Sequence, residues 1–213
     1  MTVIQAVVFD FGNVLASFDH MKICRRLSLS CNYSADHVHK AIFQSGLERE
    51  FDLGNITQEY FYDQVITALG IDPKNITLFK FSGIWNSMFS ENKAIVRVIE
   101  RINPGIKKII LSNTNNMHWE MRIKNMPVMK DFFPDPNQWV LSFQVRARKP
   151  EENIYREAIK RLDVEPLSIV YIDDIPVNVA AFERFGARGV VYNCQKDPIE
   201  KLKEKLAELD LLI

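Results

Sequence analysis

Unbroken apolar runs that end abruptly in polar residues set the frame of this chain. Ile4 and the run Ala6 to Phe9 stop at Asp10, with Gly12 and Asn13 just beyond. Such a run suits a strand buried on both faces, as in a parallel sheet. Similar runs follow at Lys107 to Leu111, ending in Ser112-Asn113, and at Ser168 to Ile172, ending in Asp173-Asp174. Trp139 to Ser142 and Gly189 to Tyr192 predict two shorter strands.

Helical spacing separates these strands. Ile95, Val98, Ile99 and Ile102 share one helix face, and Asn103-Pro104-Gly105 ends that helix. Another helix is predicted over 116–125. Residues 127–138, rich in Pro, Asp and Asn, read as loop. Pro150 suits the first turn of a helix carrying Ile154, Tyr155, Ala158 and Leu162. A further helix stops near Gly186. Asp197-Pro198 with Glu200 reads as a capping-box start to the last helix, whose apolar face is Ile199, Leu202, Leu206 and Leu209.

From about Ser17 to Ser87 the pattern is helical with no good strand. Met21, Ile23, Cys24 and Leu27 suit one helix, and Ser34 to Phe43 another. Thr57 caps a third, which Gly70 stops. A fourth runs from near Ile76 to Trp85. The expected architecture is therefore α/β: a Rossmann-like parallel sheet of about five strands, covered by helices on both faces. An all-helical cap, 17–87, is inserted after the first strand, which leaves a discontinuous core of 1–16 and 88–213.

The chain has 213 residues, 47% of them hydrophobic and 25% charged, enough for a substantial core. Its 27 Lys and Arg balance its 27 Asp and Glu, which argues against nucleic acid as a partner. Cys24, Cys31 and Cys194 have no metal-ligand spacing and read as free or buried thiols. No basic segment leads into a long apolar core, and no stretch approaches a membrane span. A cytoplasmic protein without a membrane partner, monomer or homodimer, is expected.

Four polar clusters lie at or near strand ends: Asp10, Ser112-Asn113, Lys149 and Asp173-Asp174. In a parallel sheet, strand ends of one polarity lie along one edge, where ligands bind. Asp10 and Asp174 suit a hard divalent cation such as Mg2+. Ser112 and Lys149 suit phosphate oxygens. An aspartate can also attack phosphorus as a nucleophile. Taken singly, Ser112 reads equally well as a helix cap and Lys149 as a surface lysine. The adjacent acids at 173 and 174 repel one another unless a cation or donors offset them.

Together the clusters resemble the four motifs of the haloacid dehalogenase superfamily, and specifically its phosphatases with a small helical cap. The first motif matches at Asp10 to Val14, the second at Ile109 to Asn113 (IILSN), the third at Lys149-Pro150, and the fourth at Tyr171 to Asn178 (YIDDIPVN). The wording FDFGNVL and LSNTN is similar to the subgroup of bacterial glucose-1-phosphate phosphatases. The resemblance implies that Asp10 is the nucleophile forming an aspartyl-phosphate. It implies Mg2+ bound by Asp10, the Gly12 backbone carbonyl and Asp174, with Asp173 behind them or as an extra ligand. Ser112 and Asn113 would hold phosphoryl oxygens, Lys149 would neutralise charge, and Asn178 would orient the acidic loop. The implied activity is hydrolysis of small phosphorylated metabolites such as sugar phosphates.

Gly12 departs from the pattern. The family usually has a second acid there, which protonates the leaving group and later activates water; glycine does neither. General acid–base catalysis is worth roughly 10²–10⁴ in rate. Three accounts fit: a substrate with a good leaving group, a proton from elsewhere (Asp19 or His20), or a slow relative that binds a phosphorylated ligand or a protein. A 2-haloacid dehalogenase is the rival within the family, since those enzymes also lack the second acid. They generally lose the metal-binding acid that Asp174 represents. The remaining features read as structural: His37, His39 and His118 as surface or cap residues, Glu48-Arg49-Glu50 as a solvated face, and Trp85, Trp119 and Trp139 as packing. Arg146 and Arg148 stand next to the Lys149 cluster.

Overall fold

The computed structural model describes residues 3–213. Its main sheet has five parallel strands. In chain order the strands are β1 (Ala6–Phe9), β2 (Ala16–Phe18), β3 (Phe89–Glu91), β4 (Lys107–Ser112), β5 (Trp139–Leu141), β6 (Ile169–Asp173) and β7 (Arg188–Val191). The five-stranded sheet runs β5-β4-β1-β6-β7, all pairs parallel, so the first strand lies at its centre. Strands β2 and β3 form a separate antiparallel ribbon.

Five helices lie between the two ribbon strands: α1 (His20–Ser28), α2 (Ala35–Phe43), α3 (Leu47–Asp52), α4 (Gln58–Leu69) and α5 (Leu78–Trp85). Seven more follow: α6 (Lys93–Glu100), α7 (Asn116–Met121), α8 (Pro127–Phe132), α9 (Ser142–Val145), α10 (Glu152–Leu162), α11 (Pro176–Glu183) and α12 (Ile199–Glu208).

The two-residue period of a strand sorts the core into two layers. Val7 and Phe9 of β1 pack with Ile95, Val98 and Ile99 of α6 and Leu202 and Leu206 of α12. Ala6 and Val8, on the opposite face, pack with Ile154, Tyr155 and Ala158 of α10 and Phe182 of α11. This double coverage is why the central strands are unbroken apolar runs. The predicted α/β class, the five strands and most helices are observed.

Several elements differ from the sequence reading. Ser17 and Phe18 are strand, not helix, and pair with Ser90 and Phe89. Three-residue strands are too short to show a period of two. Helix α3 falls where no helix was predicted, across the charge run at 48–50. Residues 127–138 hold α8 and a 3-10 turn, because Pro127 opens a helix at its first position. The helix expected over 116–125 breaks at Arg122. Pro150 precedes α10, which begins at Glu152. Asp197 does not cap α12; its carboxylate accepts from the Asn193 N–H instead.

Candidate active site

The carboxyl ends of β1, β4 and β6 converge as the sequence implies, and the chain just after each one lines a single cleft of about 240 Å³. Asp10, Gly12, Ser112, Asn113, Lys149, Asp174 and Asn178 all contribute to its wall. Asp173 lies beneath it, fully buried.

Lys149 is the centre of the charge arrangement. Its Nζ donates to Asp10 Oδ1 and to Asp173 Oδ2, both at 2.7 Å, and the residue is only 4% exposed. The side chain of Asn113 fixes its backbone, accepting from Lys149 N at 2.8 Å and donating to Lys149 O at 3.1 Å. Asn113 therefore uses its amide to place the lysine. Burial alone would lower the lysine's pKa, but the two carboxylates outweigh it and hold Lys149 above its ordinary value.

The acids differ in how fully they are satisfied. Asp173 accepts from Lys149, from the Tyr171 hydroxyl, from Ile175 N at 2.8 Å and from Asn178 Nδ2, which reaches both carboxylate oxygens. Burial would raise its pKa, yet these donors, Lys149 first, hold it below the ordinary range. With both oxygens engaged, Asp173 supports the site from behind. Tyr155 completes the shell by donating its hydroxyl to Asn178 O at 3.0 Å.

Asp10 accepts from Phe11 N and Lys149 Nζ, both on Oδ1, so Oδ2 carries neither bond. Burial pushes its carboxyl up to about 7 against the pull of Lys149, with Asp173 and Asp174 adding to the rise. Asp174 accepts from Asn13 Nδ2 at 3.0 Å and Asn193 Nδ2 at 3.1 Å, both on Oδ2. Its pKa is also raised, chiefly by burial. Oxygens of Asp10, Asp173 and Asp174 lie within 4.8 Å of one another. Asp10 Oδ2 and the Asp174 carboxylate, backed by the saturated Asp173, make a donor set that fits a hard divalent cation, which binds oxygen ligands.

Asn13 is a site residue that sequence reasoning missed. It adopts a left-handed conformation (φ 52°), and its side chain links Asp174, Phe18 N and Gln195. The signal was present, because Asn tolerates this region better than most residues, but it read only as a turn. Asn193 lies beyond β7 and carries no sequence signal.

The side of the cleft facing α1 and α3 departs further from expectation. Glu48 is half-buried and lines it, so the charge run at 48–50 is not simply a solvated face. His118 is buried in the wall, stacked on Trp85 at 5.0 Å, and is not a surface residue. The amide of Asn86 donates to Ser82 O, so its Oδ1 faces His118 Nδ1 at 3.1 Å as acceptor. That pairing places the proton on Nδ1. His118 Nε2 and Thr114 Oγ1 are buried without a hydrogen-bond partner among the described residues. Of the two arginines, Arg148 lines the cleft and Arg146 is exposed. Asp19 does not line the cleft; it caps α1 through Met21 N and pairs with Arg25. His20 does line it.

The space beside Gly12 is occupied. A Cβ built there would lie 2.8 Å from Phe18 Cε1. Gly12→Asp therefore has to displace the Phe18 ring, and we expect a loss of about 1–3 kcal/mol in stability, the usual range for overpacking. Urea denaturation measures it, and an unchanged midpoint would show that the ring moves freely.

A carboxylate–lysine cluster at the carboxyl edge of a parallel sheet, under a helical insertion, defines a class of α/β hydrolase. The chain belongs to the haloacid dehalogenase-like hydrolase family, whose model matches residues 4–186. It is 25% identical over 189 residues to a D-ribitol-5-phosphate phosphatase of Bacteroides thetaiotaomicron, covering 86% of this chain and 89% of the relative. A predicted family hydrolase from Porphyromonas gingivalis superposes with a TM-score of 0.80 at 22% identity, covering 96% of this chain and 98% of that one. A family enzyme of Bacteroides thetaiotaomicron, solved with magnesium and inorganic phosphate, superposes with a TM-score of 0.77 at 20% identity, over 91% and 96% of the two chains. None of these three carries the name of a glucose-1-phosphate phosphatase, and that finer likeness rests on motif wording alone.

Proposed function

We propose that this chain is a Mg2+-dependent phosphomonoester hydrolase that works through an aspartyl-phosphate. The observation that carries the reading is the cluster of Asp10, Asp173 and Asp174, with Lys149 bonded to the first two. Asp10 would be the nucleophile, its backbone fixed by a bond from Asp10 N to Ile172 O. Asp10, the Gly12 carbonyl and Asp174 would hold Mg2+, with Asp173 and Asn178 as the supporting layer. When bound, the cation supplies positive charge to the phosphoryl oxygens and to the raised Asp10 carboxyl. Ser112 and Lys149 would bind those oxygens too. Asp174 favours this reading over a haloacid dehalogenase.

The far wall supports a substrate class. Thr114 Oγ1 and His118 Nε2 are orphaned polar atoms, and a buried orphan is costly unless a ligand meets it. A hydroxyl-rich group such as a sugar or polyol phosphate would satisfy both. The ribitol-phosphate-hydrolysing relative is consistent with that choice. Residues 17–87 would form the cap and 1–16 with 88–213 the core, of which residues 1 and 2 lie outside the described residues. Pairing of β2 with β3 supports the boundary, since it ties the two connections together.

A phosphatase panel with and without Mg2+ tests the activity, and absence of turnover on every phosphomonoester by a folded protein would sink it. Metal binding has its own readout. Because the Asp10 and Asp174 carboxyls are raised, the metal-free folded state keeps protons that the unfolded chain has lost. Its stability therefore declines as pH rises from about 4 towards 7. Mg2+ needs the ionised oxygens, so its stabilisation grows over the same window. Thermal unfolding should show a larger Mg2+-induced rise in Tm at pH 8 than at pH 5. Asp174→Asn should remove most of it, and equal shifts at both pH values would contradict the site.

A further inference from the structure

The acid that Gly12 lacks has a candidate in α3. We propose that Glu48 is the general acid–base residue of this site, protonating the leaving oxygen and then accepting a proton from the attacking water. The inference rests on the phosphomonoesterase reading above.

Geometry selects this residue. The Phe18 ring fills the space where a side chain at position 12 would stand. His20 lies against that ring, 5.1 Å between centroids. Glu48 Oε1 lies 3.8 Å from His20 Nε2, and both line the cleft with Asp10. Thus the first ionisable groups beyond the filled space are His20 and Glu48.

Helix α3 is also held firmly against the core. Asp52, one turn after Glu48 and on the same face, accepts from Asn115 Nδ2 at 3.0 Å, and its backbone carbonyl accepts from Ser142 Oγ at 2.6 Å. Arg49 of the same helix pairs with Glu151 at 2.9 Å. These contacts join α3 to the loop after β4 and to the starts of α9 and α10. A proton donor needs this kind of fixed placement.

The electrostatics agree. Burial pushes the Glu48 carboxyl up to about 8; the charge of Asp52 adds to the rise and Arg148 opposes it. His20 is lowered to about 4, by burial first and then by His39, so near neutral pH it carries no proton to donate as an acid. His118, also neutral, lies further along the wall. The groups around Glu48 are His20, His39, Asp52, Arg148 and His118, and of these His39 does not line the cleft. Asp52 titrates lower, at about 6, and is tied to Asn115.

The steps balance. An Asp10 oxygen bonds to phosphorus as the bond to the leaving oxygen breaks, and the Glu48 proton passes to that oxygen, releasing an alcohol. Water then attacks phosphorus, the bond to Asp10 breaks, and the proton of the water returns to Glu48. Inorganic phosphate departs.

The test uses the full chain with Mg2+ and a graded series of phenyl phosphates, from p-nitrophenyl to p-methoxyphenyl. Glu48→Gln should lose about 100-fold or more on the poorest leaving group. On p-nitrophenyl phosphate it should keep a stoichiometric burst of nitrophenol followed by a slow steady state. Glu48→Asp should recover part of the loss. Equal loss across the series, or no loss, overturns the assignment. The wild type offers a check that does not depend on a variant folding: its spread between poor and good leaving groups should widen as pH rises past about 8, and a pH-independent spread overturns the proposal. A wild type that hydrolyses no phosphate ester overturns the underlying activity instead, which separates the two failures.

Discussion

Asp10→Asn should abolish phosphatase turnover while leaving the fold intact. The amide keeps the shape of the side chain but is not a nucleophile, so the covalent step has no route. Removal of a nucleophile in other covalent enzymes costs on the order of 10⁴-fold or more. Stability should not fall with activity. Lys149 keeps Asp173 as its partner at 2.7 Å, and the substitution deletes a carboxyl that burial pushes up to about 7. At pH 8, where the wild-type carboxylate is ionised in a buried site, metal-free Asp10→Asn should be at least as stable as the parent. Steady-state assays and urea denaturation on one preparation check both halves. Turnover above about one hundredth of the parent would remove Asp10 from its role.

Lys149→Met has the opposite signature, because it strikes the fold and the chemistry together. Among the described residues the lysine is the one cation bonded to both Asp10 and Asp173. Methionine fills similar volume but leaves two buried carboxylates facing one another. Breaking a buried ion pair from one side costs about 3–5 kcal/mol, so the urea midpoint should drop with little change in slope. The drop should depend on pH. Without the lysine, Asp10 lies higher still, and a folded state that binds more protons than the unfolded chain loses stability as pH rises. The variant should therefore be closer to wild type at pH 5 than at pH 8. A variant as stable as wild type at pH 8 would mean that Asp173's other donors carry the charge without help.

Much of this site was legible in the chain. Asp10, Ser112 and Asp173-Asp174 each follow an apolar run, and a buried parallel strand leaves few other readings for such runs. Since parallel strands end along one edge, their convergence followed from topology. Lys149 stood out beside these clusters, and the motif resemblance added Asn178. Both lie at the centre, although Asn113 proves to hold the lysine's backbone with its side chain.

What stayed hidden depends on pairs of residues far apart in sequence. Asn13 reads as a turn until Asp174, 161 positions away, is seen to accept its amide hydrogen. Glu48 reads as part of a solvated charge run because the sequence LERE has no apolar periodicity to orient it. Its inward face is set by Asp52 docking on Asn115 and Ser142. His118 lacks ligand spacing, and its burial comes from stacking on Trp85, which sits at the end of another helix.

The sequence by itself determined the doubly buried first strand, the alternation of strands and helices, and the acids at the strand ends. Local periodicity and the geometry of a buried sheet suffice for these. Only the tertiary structure decided which acid is saturated and which is open, what fills the space beside Gly12, and which ionisable group stands next to it. Those outcomes are set by burial and by distances between side chains on separate elements, which no local pattern encodes.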